Sequence, residues 1–322
     1  MTKRPPNFSE LNRAHRRRYK LLNSILGAVG LFGFLLTATL LMGDGCAPSR
    51  ADFSKFVGEK VQLRNPVVLV HGASMGGAWL RIGPLHYGHY WKFVPEFLEF
   101  NGNRVGVAHL TTNSSIAERA IVLKNFIEQK FPGEKVNIVA HSLGGLDARF
   151  LVSVLKSKQV LSITGIATPH HGSPLADWAY DQMERKGFWY WFLRLFGYDL
   201  RERRFLPELR QSYMDGNFNP KVPDVPGVKY YSVMTWGTRW TWSLSPLLYI
   251  PQWYTAGFQG REGDTRNDGL VTFRSQAWGE IIVEAELDHL GQINHHIFRP
   301  WAGDSSLAMY HRVLQRLAKD GL

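Results

Sequence analysis

The chain has 322 residues, of which 44% are hydrophobic and 20% are charged, so it can bury a sizeable core and is not disordered along its length. Its net charge of +11 suggests a nucleic-acid-binding protein, but the charge is unevenly distributed: residues 1–20 contain seven Lys and Arg residues and a single acid. A short basic block before an apolar run is typical of a membrane-topology signal rather than of a phosphate-binding surface. We therefore expect no nucleic-acid partner.

The first predicted element is an apolar helix over residues 21–43, which contains 23 residues and no ionisable side chain. At 1.5 Å per residue it would rise about 34 Å, enough to cross a hydrocarbon core of roughly 30 Å. We predict a basic cytoplasmic N-terminus over 1–20, a transmembrane anchor over 21–43, and the rest of the chain on the extracytoplasmic side. A cleaved signal peptide, which would release a secreted form, is the main alternative.

A linker is predicted over residues 44–64, which are small and of mixed polarity. It contains the only cysteine of the chain, Cys46, so a disulfide within the chain is impossible. Cys46 follows the apolar run closely and resembles a bacterial lipoprotein acylation site. Gly43, however, stands where that pattern has an aliphatic residue, so we favour a plain helical anchor over a lipid anchor.

From residue 65 to residue 322 we predict one domain, because short β-branched runs alternate with stretches of helical periodicity. One helix is predicted over 115–131, where Ser115 and Glu118 form a capping box. Another is predicted over 304–319, with its apolar side chains on one face. Strands that alternate with helices predict an α/β fold with a mostly parallel sheet and helices on both faces. The predicted strands are 67–70, 104–109, 136–140, 161–167, 229–234 and 281–287.

A strand-to-helix turn is predicted at Ser142, in the sequence VAHSLGG. A sharp turn of this kind, with small residues two before and two after the serine, exposes a nucleophilic hydroxyl. Ala140 replaces the glycine usual at the first of these places and is still small. The amide of Leu143, at the N-terminus of the following helix, could bind a developing oxyanion. Ala73, in the glycine-rich loop after the first strand, is the predicted second donor.

A helical insertion is predicted over about 174–220, which interrupts the alternation of strands and helices. It contains the run GFWYWFLRLFGY, whose consecutive aromatic residues cover more than one helical face. A core helix is the ordinary explanation of an aromatic stripe, but a lid over a pocket suits this insertion better. We expect Trp189, Trp191 and Phe192 to bind an apolar substrate.

The segments PVVLVHG, VAHSLGG and IATPHHGSPLADW, together with PDVPGVKYYSV and NDGLV, resemble lipases of the α/β-hydrolase superfamily. The similarity is to bacterial triacylglycerol lipases and related fungal and eukaryotic lipases, and it covers about residues 65–295. The resemblance implies an α/β-hydrolase fold, a serine hydrolase mechanism and a lipid ester substrate.

In this superfamily the catalytic residues follow the order serine, acid, histidine. With Ser142 as nucleophile, the resemblance implies Asp268 in NDGLV as the acid and His289, after the last strand, as the base. Asp264 is the rival acid. His141 should point away from the nucleophile, and His71 belongs to the oxyanion loop.

The remaining histidines with a claim to the role of base fit the order less well. His170 and His171 precede both acids, which is the wrong order, and His295 and His296 follow the predicted base. Many bacterial relatives hold calcium through an aspartate two residues after the histidine, where this chain has Gly291. We therefore predict no metal and no cofactor.

The resulting hypothesis is a membrane-anchored serine hydrolase that cleaves carboxylic esters of lipids. A phospholipase, a thioesterase or an acyltransferase could use the same three residues. A membrane-tethered binding protein that lost catalysis is a further alternative, which the presence of Ser142, Asp268 and His289 argues against.

Overall fold

The computed structural model of the chain describes residues 53, 55–56, 60–73, 79–82, 85–195, 199–238, 245, 248–259, 264–296 and 303–322. The predicted anchor over 21–43 and Cys46 lie outside these residues, as does most of the predicted linker. Among the described residues, no helix is long and apolar enough to cross a membrane.

Eight strands are present in the described residues. In chain order they are β1 Val67–Val70, β2 Trp79–Ile82, β3 Leu85–His89, β4 Val105–Ala108, β5 Val136–His141, β6 Val160–Ile166, β7 Lys229–Thr235 and β8 Glu280–Ala285. The six predicted strands are all found, with ends shifted by at most two residues. The antiparallel pair β2–β3 forms a separate small sheet that the sequence did not predict.

The longer helices of the described chain are α1 Val94–Phe100, α2 Ile116–Lys130, α3 Leu143–Ser153, α4 Pro174–Glu184, α5 Phe188–Leu195, α6 Tyr249–Gln259 and α7 Gly303–Lys319. Between α5 and β7 the chain forms short helical turns, which are Leu200–Glu202, Pro207–Leu209, Gln211–Tyr213, Met214–Phe218 and Asn219–Lys221. Two more follow at Arg274–Gln276 and Gly291–Ile293.

The six long strands form one sheet in the order β4-β1-β5-β6-β7-β8, and every neighbouring pair is parallel. In a parallel sheet all carboxyl ends lie at one edge, where the loops that follow the strands meet. The sheet therefore brings the loops after β1, β5, β7 and β8 together, although they are far apart in sequence. This confirms the predicted parallel sheet.

Both faces of the sheet are covered, which explains the near-continuous apolar runs of its strands. On β1, Val67 and Leu69 pack on one face with residues of α1 and α7. Val68 and Val70 pack on the other face with residues of α2 and α3.

Local signals account for two helices. Helix α2 begins after Ser115, whose side chain accepts the Glu118 amide, while the Glu118 carboxylate accepts the Ser115 amide, so the predicted capping box is confirmed. On α7 the predicted apolar face, with Leu307, Tyr310 and Leu314, is buried against the sheet.

Candidate active site

Ser142 lies at the carboxyl edge of the sheet, between the end of β5 and the start of α3. Its backbone has φ 54° and ψ −128°, a combination that residues other than glycine rarely adopt. The Ser142 amide donates to the carbonyl of Ile166 at 2.8 Å, which ties the turn to β6. This is the geometry of a strained turn that presents a nucleophile at the N-terminus of a helix.

The predicted oxyanion loop lies directly against this turn. A Cβ atom added to Gly72 would lie 2.7 Å from the Cβ of Ser142, so only glycine permits this approach. Ala73 follows Gly72, and Leu143 is the first residue of α3. Because the first amides of a helix have no partner within it, the Leu143 N–H is a suitable donor for an anion. Residues 74–78 lie outside the described part of the chain.

His289 and Asp268 form a buried pair at the same edge. His289 Nδ1 lies 2.7 Å from Asp268 Oδ2, and the His289 amide donates to the Asp268 carbonyl at 2.9 Å. The other carboxylate oxygen of Asp268 accepts the amides of Leu270 and Val271 at 3.0 and 2.8 Å. A carboxylate held in this way fixes the orientation of the imidazole through its Nδ1.

The rival acid, Asp264, lies elsewhere. Its carboxylate is bound by Arg266, with Nη2 at 2.9 Å, and this guanidinium lowers the pKa of Asp264. The structure brings Asp268, and not Asp264, to His289.

The other late histidines are also engaged away from this pair. His295 lies 2.8 Å from the carbonyl of His89, and His296 lies 2.8 Å from the hydroxyl of Ser306.

His170 and His171, the adjacent pair of histidines weighed as alternative bases, lie together beside a tryptophan. His170 stacks on the indole of Trp278, and His171 is paired with Asp215 at 2.8 Å. Neither has a hydrogen bond to Asp264 or Asp268 among the contacts of the described residues.

His141 lies closer to the His289–Asp268 pair than its position in the sequence indicated. Its side chain points into the protein, where its ring centroid lies 4.5 Å from that of His289. Burial, together with the neighbouring His289, lowers the pKa of His141 well below its ordinary value, so this ring is neutral. Burial and Arg119 likewise lower the pKa of His71 to about 3.

Two further polar residues of the site, Tyr90 and Gln292, were missed by the sequence analysis. Tyr90 directly follows β3 and contacts one ring nitrogen of His141. Gln292 lies three residues after His289 and contacts the other ring nitrogen. Nothing local marks them, since a tyrosine and a glutamine in loops are usually surface residues. Their burial, at 3% and 0% exposure, is decided by tertiary packing alone.

Helices α4 and α5 and the turns after them form the predicted helical insertion between β6 and β7. Their buried apolar side chains pack with Leu143 and Leu146, so the insertion covers the N-terminal end of α3 beside Ser142. Of the predicted substrate-binding aromatics, Trp191 is 54% exposed, whereas the side chains of Trp189 and Phe192 lie outside the described parts.

Within the described parts of the chain, no three His, Cys, Asp or Glu side chains are grouped so that they could hold a metal ion. The amide of Gly291, two residues after His289, donates to the Asp288 carboxylate at 2.6 Å.

Comparison with known proteins gives both sequence and structural relatives, although no protein-family model matches the chain. The chain is 33% identical over 225 residues to triacylglycerol lipase 2 of Saccharomyces cerevisiae, which covers 64% of this chain and 62% of the yeast protein. It is 26% identical over 298 residues to a triacylglycerol lipase of Vibrio cholerae, which covers 81% of this chain and 90% of that protein. The chain thus spans less than two thirds of the yeast relative.

Solved structures share the fold. The mature form of a Bacillus licheniformis lipase superposes with a TM-score of 0.57 at 20% identity, over 84% of this chain and 96% of that one. A Staphylococcus hyicus lipase superposes with a TM-score of 0.58 at 18% identity, over 81% and 98%. The parallel sheet, the turn at Ser142 and these similarities lead to one conclusion: the chain shares the fold of these solved lipases and is similar in sequence to triacylglycerol lipases.

Proposed function

We propose that this chain is a serine hydrolase that cleaves carboxylic esters of lipids through an acyl-enzyme on Ser142. The observation that carries the proposal is the ordered placement of three groups at one sheet edge: the strained Ser142 turn, the His289–Asp268 pair, and the oxyanion loop against Ser142. The relatives named triacylglycerol lipase support a lipid ester as substrate.

The mechanism follows from the chemistry of these groups. His289 Nε2 removes the proton of the Ser142 hydroxyl, which attacks the ester carbonyl, while Asp268 stabilises the imidazolium through Nδ1. The amides of Ala73 and Leu143 bind the oxyanion. His289 then protonates the departing alcohol, and water repeats the sequence on the acyl-enzyme to release the acid.

Labelling with a fluorophosphonate probe tests this assignment. The wild type should be labelled, whereas Ser142→Ala should not, because the probe reacts only with an activated serine. Ser142→Ala, His289→Ala and Asp268→Asn should each lower ester hydrolysis by about 10⁴-fold or more, and combining them should add little. Asp264→Asn is the matched control and should remain active. Full activity of Asp268→Asn would exclude it as the acid.

Related activities of the same site differ in substrate or acceptor. A phospholipase or thioesterase differs in the substrate it accepts, and an acyltransferase passes the acyl group to an alcohol instead of water. Product analysis with and without an acceptor alcohol distinguishes these. A non-catalytic binding protein would bind lipid without labelling by the probe.

The helical insertion is proposed as a lid that moves when a lipid surface is present. Ser142 and His289 are only 8% and 7% exposed, and movement of a covering element would open the site to a bulky ester. On α5, Phe188 and Trp191 are exposed although they are large and apolar, and such surface is suited to contact with lipid.

Replacement of Phe188 and Trp191 with serine tests the lid. Activity on emulsified long-chain esters should fall more than activity on a soluble short-chain ester, because only the emulsion stabilises the exposed apolar face. An equal loss on both substrates would instead show that the aromatic residues only support folding.

The domain is proposed to be held at the extracytoplasmic side of a membrane by residues 21–43. The support is the basic block over 1–20 beside an uncharged run of spanning length. Protease added outside intact spheroplasts should digest the domain, and complete protection would exclude this topology. A mature soluble form that begins after about residue 43 would instead indicate a cleaved signal.

A further inference from the structure

A chain of buried hydrogen bonds joins the oxyanion loop to the predicted catalytic acid. The Gly72 amide donates to the Tyr90 hydroxyl at 2.9 Å, and that hydroxyl lies 2.6 Å from His141 Nδ1. His141 Nε2 lies 2.6 Å from Gln292 Oε1, and Gln292 Nε2 donates to Asp268 Oδ2 at 2.8 Å. All of these contacts are buried, so none can be replaced by bulk water.

The donors and acceptors in this series of hydrogen bonds allow only one arrangement of protons. Gln292 Nε2 donates both to Asp268 and to the Thr235 hydroxyl, so its carbonyl oxygen faces His141 and must accept from His141 Nε2. A neutral imidazole has one N–H, so His141 Nδ1 accepts from the Tyr90 hydroxyl. Burial keeps both groups neutral, because it lowers the pKa of His141 and raises that of Tyr90.

Each end of this series of hydrogen bonds contacts a group that the proposed reaction uses. At one end, Gln292 and His289 Nδ1 bind the same oxygen of Asp268, so Gln292 helps to fix the direction from which that oxygen holds His289. At the other end, Tyr90 fixes the Gly72 amide where the loop packs against Ser142. Between them, the neutral His141 ring packs on His289 and does not oppose the positive charge that His289 acquires.

We propose that Tyr90, His141 and Gln292 are positioning residues that hold the oxyanion loop and the acid of the active site in one mutual geometry. The inference rests on the proposed hydrolase function. A rigid polar network of this kind is worth more than its separate bonds, because loss of one member leaves its buried neighbours unsatisfied. Misplacement of the acid or of the loop reduces stabilisation of the transition state rather than substrate binding.

Tyr90→Phe and Gln292→Met interrupt the series of hydrogen bonds at two places, and each changes the side-chain volume little. Each should lower kcat by about ten-fold or more, which corresponds to the loss of one buried hydrogen bond, while KM changes little. Tyr230→Phe is the matched control: its hydroxyl also accepts a backbone amide, that of Val225 at 2.9 Å, but at the opposite end of the sheet. It should keep wild-type kcat. An equal loss of kcat in Tyr230→Phe would show that only stability is affected.

The double variant tests whether the residues act as a unit. Tyr90 and Gln292 bind opposite nitrogens of the His141 ring, so coupling between them must pass through that ring. The combined loss of kcat should be smaller than the product of the two single losses, because the chain is already broken after the first change. Multiplicative losses would overturn the proposal.

The proton arrangement has its own readout, which does not depend on activity. The ¹⁵N NMR shifts of His141 should show a protonated Nε2 and an unprotonated Nδ1, and the opposite tautomer would overturn the assignment. Failure of the proposed function would appear as absent probe labelling of the wild type. Failure of this inference would leave wild-type labelling intact and the variants as fast as the wild type.

Discussion

At the scale of single residues, the strained backbone of Ser142 is tolerated because its neighbours leave room for the turn. Gly144, in the first turn of α3, lies very close to β1. A Cβ atom added to Gly144 would lie 2.6 Å from the carbonyl oxygen of Val70. That oxygen belongs to β1 and cannot move without distorting the sheet. The small residue two places after Ser142 is therefore required by the contact between α3 and β1.

Gly144→Ala should destabilise the fold by about 1–3 kcal/mol, since the added methyl group must displace main-chain atoms. It should also lower kcat, because the displacement moves Ser142. Gly216→Ala is the control: nothing lies within 4 Å of its Cβ position, so the free energy of unfolding should change by less than about 1 kcal/mol. Urea unfolding and ester kinetics on both variants measure the difference. Equal stability of the two variants would contradict the steric argument.

At the scale of elements, helices α2 and α3 are joined by a fully buried ion pair. Arg119 Nη2 lies 2.8 Å from Asp147 Oδ2, and neither side chain is exposed. Arg119 also donates to the carbonyl of His71 at 2.8 Å, so the pair anchors the start of the oxyanion loop. Burial raises the pKa of Asp147 to about 6, which Arg119 opposes. The pair therefore contributes positioning at the cost of desolvating two charges.

Asp147→Asn should lower the free energy of unfolding by about 3–5 kcal/mol, because the Arg119 charge is left buried without a counter-charge. Arg204→Ala, which removes an exposed partner of Glu118, should cost less than about 1 kcal/mol. Denaturant unfolding of both variants tests the contrast. A loss for Asp147→Asn as small as that for Arg204→Ala would show that solvent reaches Arg119.

At the scale of the whole molecule, three buried histidines make stability depend on pH. Burial lowers the pKa of His71, His141 and His170 below the ordinary value of 6.5, so the unfolded chain binds more protons than the folded one as the pH falls. Their contribution to stability is complete above pH 6.5 and is lost progressively below it. Asp147 and Asp177 act in the opposite sense, because burial raises the pKa of each to about 6.

Between pH 7 and pH 6 the free energy of unfolding should fall by up to about 0.7 kcal/mol for each of these histidines, partly offset by the two carboxyl groups. His170→Asn removes one of the three titrating rings, the one that stacks on Trp278. Its unfolding free energy should therefore fall less steeply over the same interval. Identical pH slopes for the variant and the wild type, measured by urea unfolding, would contradict the assignment of His170 as a buried neutral group.

Local patterns in the sequence were sufficient for the sheet and for the turn at Ser142. The six runs of β-branched residues correspond to the six strands of the parallel sheet. They are recognisable in the sequence because a strand that is buried on both faces requires apolar residues at successive positions. The capping box at Ser115 placed the start of α2, since its two bonds join residues three apart. Small residues around Ser142 indicate the turn, because a sharp turn between a strand and a helix leaves no room for larger ones.

What the sequence could not decide depends on contacts between distant residues. The hairpin β2–β3 lacks a clear alternation of polar and apolar residues and was missed. Asp264 and Asp268 lie in the same loop; the family resemblance favoured Asp268, but the contact between its carboxylate and His289 is set by the fold. His141 and Gln292 are 151 residues apart, and neither carries a local signal of its partner. Periodicity reports which face of an element is buried, but hydrogen-bond partners are selected by how the loops meet at the edge of the sheet, and that is a property of the tertiary structure alone.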